Sequence, residues 1–191
     1  FTSAVLSMWG TSDRDVWVFA NDARARHFDG TTWTETSIAG SGWSATGTGS
    51  KDLWVGTTGG RVLRYDGTSW TTLTTRDTTS TIRAIHIAAS DRVVLAGDNS
   101  IQLWDGARFT ISMSVGTSPL SAWGTSPNDL WVGAGSGCTT YHYDGVKWNS
   151  VAISGCGGSI NSIHGTSASD VYFVSESVTP IFRWDGSKFN T

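Results

Sequence analysis

The chain has 191 residues, a formal net charge of -3 at neutral pH and only 15% charged residues, whereas 23 residues are glycine and 11 are tryptophan. Because no broad basic field is present, we exclude nucleic acid as a partner. No apolar run approaches the roughly 20 residues that a membrane-spanning helix needs, so we also expect no membrane insertion. A composition rich in turn-forming and aromatic residues favours a β-fold.

The motif aromatic-Asp-Gly-x-x-aromatic occurs five times along the chain. Its copies are FDGTTW at 28–33, YDGTSW at 65–70, WDGARF at 104–109, YDGVKW at 143–148 and WDGSKF at 184–189. The copies recur about every 39 residues, a period that is typical of propeller blades and not of helical repeats. Asp-Gly between two strands also predicts a two-residue type I′ turn, which requires positive φ at both central residues.

Each Asp-Gly motif follows a short run of β-branched and aromatic residues, and no segment has a helical period. In chain order these runs are VWVFA, LWVG, VVLAG, LWVG and VYFVS. The sequence therefore predicts an all-β fold, a single five-bladed β-propeller with four antiparallel strands per blade. The approximate repeats are 6–41, 42–80, 81–118, 119–158 and 159–191.

The last repeat ends much earlier after its turn than the first one does. Closure of the ring therefore needs additional residues, and we expect residues 1–5 to complete the last blade. A neighbouring molecule or residues outside this sequence are the alternatives.

Two further sets of residues recur at fixed places in the repeat. An aspartate precedes the second strand in four units, where we expect it to bind nearby backbone N–H groups and fix the turn. The aromatic residues that end each motif are expected to fill the wedges between blades. The aspartates are Asp15, Asp52, Asp129 and Asp170, with Arg92 in the third unit. The aromatics are Trp33, Trp70, Phe109, Trp148 and Phe189.

The segments W-G-T-S, D-V/L-W-V and D-G-x-x-W give the whole chain a resemblance to a family of bacterial propeller repeats. The chain also distantly resembles the Asp-box turn of sialidase-type propellers, although every copy lacks the extra residue between Asp and Gly. This resemblance implies the architecture and not an activity, because propellers include enzymes, lectins and scaffolds.

The two cysteines are Cys138 in GSGCTT and Cys156 in SGCGGS. A zinc site is disfavoured because zinc usually takes four ligands, whereas two buried free thiols remain an alternative. In a propeller both cysteines fall in loops on the same rim, so we predict a disulfide. A disulfide indicates an oxidising compartment, and we expect an extracellular or cell-surface location.

Five-bladed glycosidases, which the predicted architecture resembles, use carboxylates that converge at a central cavity. The acids outside the repeated positions are instead scattered over turns and loops. They are Asp13, Asp22, Glu35, Asp77, Asp91, Asp98 and Glu176. The chain also has no G-x-S-x-G nucleophile motif, no phosphate-binding loop and no spaced calcium ligands. We therefore expect no catalytic site, no metal and no cofactor.

Two columns of polar and aromatic residues are candidates for ligand binding. One lies in the first strand, and its members are Trp9, Thr46, His86, Trp123 and His164. The other precedes the first aromatic of each motif, and its members are His27, Arg64, His142 and Arg183, with Leu103 in the third unit. Either column could instead have a structural role within the blades.

These observations predict a non-enzymatic binding module. Cationic donors beside aromatic rings bind sugars, and the chain resembles tachylectin-type and fucose-lectin propellers in architecture, so a multivalent glycan-binding protein is the first hypothesis. The alternative is a protein-interaction or structural module of a larger exported surface protein, because the loops diverge where the strands agree. A glycosidase-like propeller is a minor alternative, and the oligomeric state stays open.

Overall fold

The computed structural model describes residues 2–178 and 181–191, which form twenty β-strands in five antiparallel four-stranded sheets. Blade 1 has β1 (Val5–Ser12), β2 (Asp15–Ala20), β3 (Arg24–Phe28) and β4 (Trp33–Ser37). Blade 2 has β5 (Gly42–Gly49), β6 (Asp52–Thr57), β7 (Arg61–Tyr65) and β8 (Trp70–Thr74). Blade 3 has β9 (Ile82–Ala89), β10 (Arg92–Gly97), β11 (Ser100–Trp104) and β12 (Phe109–Ser114). Blade 4 has β13 (Ser121–Ser126), β14 (Asp129–Gly133), β15 (Thr139–Tyr143) and β16 (Trp148–Ala152). Blade 5 has β17 (Ile160–Ser167), β18 (Asp170–Ser175), β19 (Ile181–Trp184) and β20 (Phe189–Asn190).

The predicted all-β, five-bladed propeller is confirmed. In each blade the strands follow one another across the sheet, so the connections alternate between two rims. The Asp-Gly loops and the connections between first and second strands lie on one rim, here called the turn rim. The connections between second and third strands and those between blades lie on the opposite rim, here called the loop rim.

The second strand of each inner blade is buried on both faces because a neighbouring blade covers each one. Leu53, Trp54 and Val55 are successive residues of β6, and all three are buried. Leu53 and Val55 pack with Trp17 and Phe19 of blade 1, whereas Trp54 packs with residues of blade 3. Burial on both sides explains why these strands are continuous apolar runs without polar alternation.

The aromatics that end the motifs fill the wedges between blades, as predicted, at the inner junctions. The ring of Trp70 lies 5.4 Å from that of Trp17 in the preceding blade, and the ring of Phe109 lies 6.4 Å from that of Trp54. Trp148 reaches blade 3 by donating a hydrogen bond from Nε1 to Ser112. Trp33 in blade 1 is exposed instead.

The Asp-Gly segment does not form the predicted two-residue type I′ turn. Phe28 pairs with Trp33, so the connection in blade 1 contains four residues. Gly30 has a φ of 93°, whereas Asp29 is not among the residues with positive φ. The side chain of Asp29 accepts backbone N–H bonds from Thr31 and Thr32, both at 2.8 Å. These bonds lower the pKa of Asp29 and fix a loop that needs positive φ only at glycine.

Residues 2–5 lie with blade 1 and not with blade 5. Val5 pairs with Ala20, and the carbonyl of Ala4 accepts a hydrogen bond from the backbone N–H of Asn21. In the sheet of blade 5, β20 is the outermost strand, and among the described residues its one partner is β19. The expectation that this segment completes the last blade is therefore wrong for residues 2–5, and Phe1 lies outside the described residues.

The predicted disulfide between Cys138 and Cys156 is present, with the two Cα atoms 5.7 Å apart. It joins the β14–β15 loop to the connection between blades 4 and 5, on the loop rim. Backbone hydrogen bonds flank it, because Cys138 donates to the carbonyl of Gly158 and its own carbonyl accepts from Ile153. Such a link stabilises the folded protein by about 3 kcal/mol, because it reduces the conformational entropy of the unfolded chain.

Candidate binding grooves between the blades

The repeated aspartate of blade 1 is the centre of a polar cluster that joins three strands. Asp15, the first residue of β2, accepts a hydrogen bond from the hydroxyl of Thr11 in β1. Its Oδ1 lies 2.8 Å from Nε2 of His27 in β3. The His27 ring in turn stacks on Trp17, with 4.2 Å between the ring centroids. One carboxylate thus holds the side chains of both adjoining strands in place.

Three other blades repeat this cluster with histidine or arginine as the third-strand member. Asp52 accepts bonds from Thr48 and from Nε of Arg64, and the guanidinium of Arg64 lies over the Trp54 ring. In blade 4 the members are Asp129, Thr125 and His142, and in blade 5 they are Asp170, Thr166 and Arg183. The expectation that these aspartates bind backbone N–H groups is wrong. The hydrogen bonds that they accept in the structure come from side chains.

Blade 3 has lost the whole cluster. Ala88 replaces the threonine, Arg92 replaces the aspartate and Leu103 replaces the histidine or arginine. The change is concerted because a partly buried carboxylate without a donor would be destabilising. Leu103 instead packs in the apolar cluster between blades 3 and 4.

Hydrogen bonds within the cluster lower the pKa of three of the aspartates. Burial alone would raise the pKa of Asp15, but hydrogen bonds from Thr11 and His27 outweigh burial and lower it. The pKa of Asp52 is lowered in the same way, against the effect of burial, by Thr48 and Arg64. In blade 5 the hydrogen bonds from Thr166 and Arg183 lower the pKa of Asp170.

The predicted third-strand residues are therefore placed one per blade, each next to an aspartate of its own sheet. The structure does not bring His27, Arg64, His142 and Arg183 together into one site. Each of them lies close to the turn rim, because its aspartate begins the second strand there. A role in ligand binding for these four residues stays a prediction.

The first-strand column lies where the inner strands of consecutive blades meet. A Cβ atom at Gly47 of blade 2 would come within 2.6 Å of the Trp9 ring, and one at Gly165 of blade 5 within 2.8 Å of Trp123. Both glycines thus leave room for a ring from the preceding blade. His86 lies at the same position in blade 3, and burial lowers its pKa. The last member, His164, is exposed.

A column that sequence reasoning missed borders the turn rim. The residue before each repeated aspartate, or before Arg92 in blade 3, lies against the glycine of the Asp-Gly loop of its own blade. A Cβ at Gly30, for example, would come within 2.7 Å of the Arg14 side chain. The five residues of this rim column are Arg14, Lys51, Asp91, Asn128 and Ser169. Their constant position and changing chemistry are the signal that could have revealed the column.

The rim column borders a cleft of about 410 Å³ between blades 1 and 2, here called the blade 1–2 groove. Beneath it lies the polar cluster of blade 1. The residues that line the blade 1–2 groove are Thr11, Arg14, Asp15, Trp17, His27, Asp29, Ser50, Lys51, Tyr65 and Gly67. The groove is therefore lined by cations, carboxylates, hydroxyls and aromatic residues.

A second cleft, of about 600 Å³, lies on the face of blade 1 that points away from blade 2 and that no other blade covers in the described part of the chain. Its centre is Arg26, which is bonded to Asp22 and Glu35, and the bond from Arg26 lowers the pKa of Asp22 to about 2. Exposed Trp33 forms one side. In the sequence, Asp22 and Glu35 were interpreted only as scattered acids, and this cleft was not predicted.

Within residues 2–178 and 181–191, no three His, Cys, Asp or Glu side chains are grouped as metal ligands. The same residues include no helix with the length and apolar character required to cross a membrane.

No known protein-family profile matches the chain, and no curated protein sequence matches it. Solved structures do match its fold. The streptogramin B lyase structure matches with a TM-score of 0.82 at 13% identity, over 98% of this chain and 68% of that one. Virginiamycin B lyase from Staphylococcus aureus matches with a TM-score of 0.80 at 16% identity, over 95% and 66%.

The computationally designed Ika8 protein has a TM-score of 0.78 at 18% identity, over 98% of this chain and 60% of that one. YCF48 bound to D1 peptide has a TM-score of 0.71 at 13% identity, over 98% and 66%. The chain thus spans about three fifths to two thirds of the length of these proteins. At such identities the likeness shows the fold alone, and that fold is the β-propeller.

Proposed function

We propose that the protein is a non-enzymatic binding module, and that it binds glycans in the blade 1–2 groove and in the equivalent grooves of other blades. The observation that carries the proposal is the composition of the blade 1–2 groove, where Tyr65 lies beside Arg14, Lys51 and Asp29. Aromatic rings stack on the C–H face of a sugar, and charged donors and acceptors bind its hydroxyls.

The polar cluster supports this function by making the groove rigid. Because Asp15 holds Thr11 and His27 in place, these side chains lose little freedom when a ligand binds. The clusters of blades 2 and 4 lie at two further junctions, so several weak sites on one scaffold gain affinity by avidity. The rim column gives each groove a different polar residue and therefore a different preference.

The acids outside the repeats support a role without catalysis. A general acid in a glycosidase needs a raised pKa. A hydrogen bond from Ser80 lowers the pKa of Asp77. At Asp98 the bond from Arg83 outweighs burial and also lowers the pKa. The pKa of Asp22 is lowered as well. A lowered pKa favours the ionised carboxylate, which has no proton to donate, at all three residues.

The proposal includes an extracellular or cell-surface location. The disulfide between Cys138 and Cys156 supports it, because disulfides persist mainly in oxidising compartments. The bond also holds two loops of the loop rim in a fixed relative position.

That loop rim favours a second candidate function, the binding of a peptide or protein. The disulfide fixes the 135–138 loop against the 153–159 connection, and divergent loops on a rigid scaffold are common protein-binding sites. One of the matching propellers is bound to a peptide. This candidate uses the rim opposite the blade 1–2 groove, so the two functions can be separated by substitution.

A glycan array followed by calorimetric titration of the positive glycans tests the first candidate. Lys51→Ala removes a groove cation without touching the polar cluster, and we expect binding to weaken about tenfold. Lys188→Ala, which changes an exposed lysine in the Asp-Gly loop of blade 5, is the matched control and should bind normally. Absence of binding to every glycan at millimolar concentration, or unchanged affinity of the Lys51 variant, would rule out the glycan proposal. A peptide-display screen then tests the loop rim.

A further inference from the structure

Each end face of the blade series exposes several large apolar side chains and has no blade packed on it among the described residues. On blade 5, the side facing away from blade 4 exposes Tyr172 by 42%, Val174 by 39% and Ile181 by 53%. On blade 1, the side facing away from blade 2 exposes Val5 by 50%, Met8 by 65% and Trp33 by 47%. Exposed large apolar residues grouped on one face usually mark an interaction surface.

At the inner junctions the equivalent positions are buried. The position of Tyr172 is occupied by Trp131 in blade 4, where the ring is buried against Phe173 and Trp184 of the next blade. The position of Met8 is occupied by Ile163 in blade 5, which packs in the cluster between blades 4 and 5. The exposed residues of the end faces are thus the two halves of a blade–blade contact.

The inner strands carry a polar version of the same correspondence. Ser7, Ser44 and Ser121 each donate a hydrogen bond to the carbonyl of the first strand residue in the next blade. Their equivalent in blade 5 is Ser162, which is exposed. His164 is exposed at the position where Trp123 packs over Gly165, and Gly10 of blade 1 is exposed at the position of Gly165.

Blade 5 does not cover blade 1 in the described residues. The inner strands pack in the series β1, β5, β9, β13 and β17, and β17 has no comparable packing against β1. The five blades also match propellers of which they span only 60–68%, with TM-scores of 0.78 to 0.82. The five blades thus align with part of longer propellers, and in the described residues the inner strands of the two end blades do not pack together as those of neighbouring blades do.

We propose that each end face binds a further four-stranded blade of the same repeat chemistry. Such a blade would place an aromatic pair and a glycine against Tyr172 and His164, and a second-strand aromatic against Trp33. This inference is independent of the glycan-binding proposal. It assigns the exposed apolar surface to the propeller itself and not to a ligand.

The charged residues on the end face of blade 1 are compatible with a blade contact. Arg26 occupies the position of Gln102 in blade 3, which is buried and accepts a hydrogen bond from the backbone N–H of Arg76 in blade 2. This column therefore accepts a polar side chain inside a junction. Arg26 is itself buried, and its charge is balanced by Asp22 and Glu35.

The test extends the chain by one blade. Residues 36–80 are copied after Thr191, because Thr191 corresponds to Glu35 and the copy thus completes β20 and adds a second blade 2. The substitution Tyr172→Lys is then made in the original and in the extended chain. We expect a small change of the urea midpoint in the original chain and a clear decrease in the extended chain. Hydrogen exchange of the β18 amides should be about tenfold slower in the extended chain.

Ile111→Lys is the matched control, since Ile111 is exposed by 52%, compared with 42% for Tyr172, but lies in blade 3, away from both end faces. Ile111→Lys should change the urea midpoint by the same amount in the original and in the extended chain. A second extension, with residues 151–191 copied after Thr191, repeats the experiment with a blade 5 copy if the first extension does not fold. Equal effects of Tyr172→Lys in original and extended chains, with unchanged exchange in β18, would overturn the proposal. Association of the original chain that Tyr172→Lys abolishes would also overturn it, by assigning the face to a second copy.

Discussion

The Nε2 atom of His142 lies 2.7 Å from Oδ1 of Asp129, and the same carboxylate accepts a hydrogen bond from Thr125. The three residues belong to three successive strands, so this single carboxylate fixes the turn-rim end of blade 4. We predict that Asp129→Asn lowers the free energy of unfolding by about 1–3 kcal/mol, because an amide cannot replace both charge-assisted bonds. Urea unfolding followed by tryptophan fluorescence measures the change.

Asp91→Asn is the control for this prediction. Asp91 is exposed and lies in blade 3, which has no polar cluster, so its substitution should alter stability by less than about 0.5 kcal/mol. Equal urea midpoints for the two variants would mean that the cluster contributes nothing to stability.

The concerted loss of the cluster in blade 3 predicts energetic coupling between positions 92 and 103. Arg92→Asp alone places a partly buried carboxylate without a partner and should destabilise the protein by about 1–3 kcal/mol. Adding Leu103→Arg supplies the cation that blades 2 and 5 have at this position. We expect the loss of unfolding free energy in the double variant to be smaller than the sum of the losses in the two single variants by at least about 0.5 kcal/mol. Strictly additive unfolding free energies across the four proteins would contradict the coupling.

The fold was predictable because its determinants are local and repeated. The Asp-Gly motif marks a chain reversal, and the second strands of the inner blades continue as apolar runs after their first residue because both their faces are covered. The turn type was not predictable from Asp-Gly alone, since the loop length depends on the pairing of Phe28 with Trp33. Once four residues are in the loop, the aspartate can bind two backbone N–H groups without positive φ.

The candidate site was predictable only in part. The sequence pattern showed the aspartates and the histidines and arginines as separate columns, but their pairing depends on the strand register that places Asp15 near His27. The clue available in the sequence was that both columns have their exception in the same unit. The exposure of Trp33 could not be predicted, because the motif does not say which blade has an uncovered face.

Acid should unfold the protein through its loop aspartates, and Asp144 provides a direct test. Bonds from the backbone N–H groups of Lys147 and Val146 lower its pKa to about 2. The folded pKa is thus below the unfolded value of about 3.9, so the stabilisation is present above about pH 4 and is lost as the pH falls towards 2. Asp144→Asn should show a shallower loss of stability over this range, measured by urea unfolding at several pH values. An unchanged slope would contradict the assignment.

His86 makes stability depend on pH in a different range. Burial lowers its pKa, so the folded protein keeps the ring neutral while the unfolded chain takes up a proton near pH 6.5. Stability should therefore fall as the pH decreases from 7 to 5. His86→Thr places in blade 3 the residue that blade 2 has at this position, Thr46, and should flatten the profile. His164→Thr, at the exposed equivalent in blade 5, is the control and should leave the profile as it is.

The disulfide permits a prediction about the backbone as well as about the bond. Cys138 has a φ of 46°, a conformation that glycine adopts at little cost. Replacing both cysteines by serine should lower the free energy of unfolding by about 3 kcal/mol. Cys138→Gly combined with Cys156→Ser removes the same bond but relieves position 138, so it should be more stable than the double serine variant by about 0.4–1 kcal/mol. Urea unfolding of both variants decides this, and a glycine variant that is less stable than the serine variant would show that the bond, and not the loop itself, imposes the conformation.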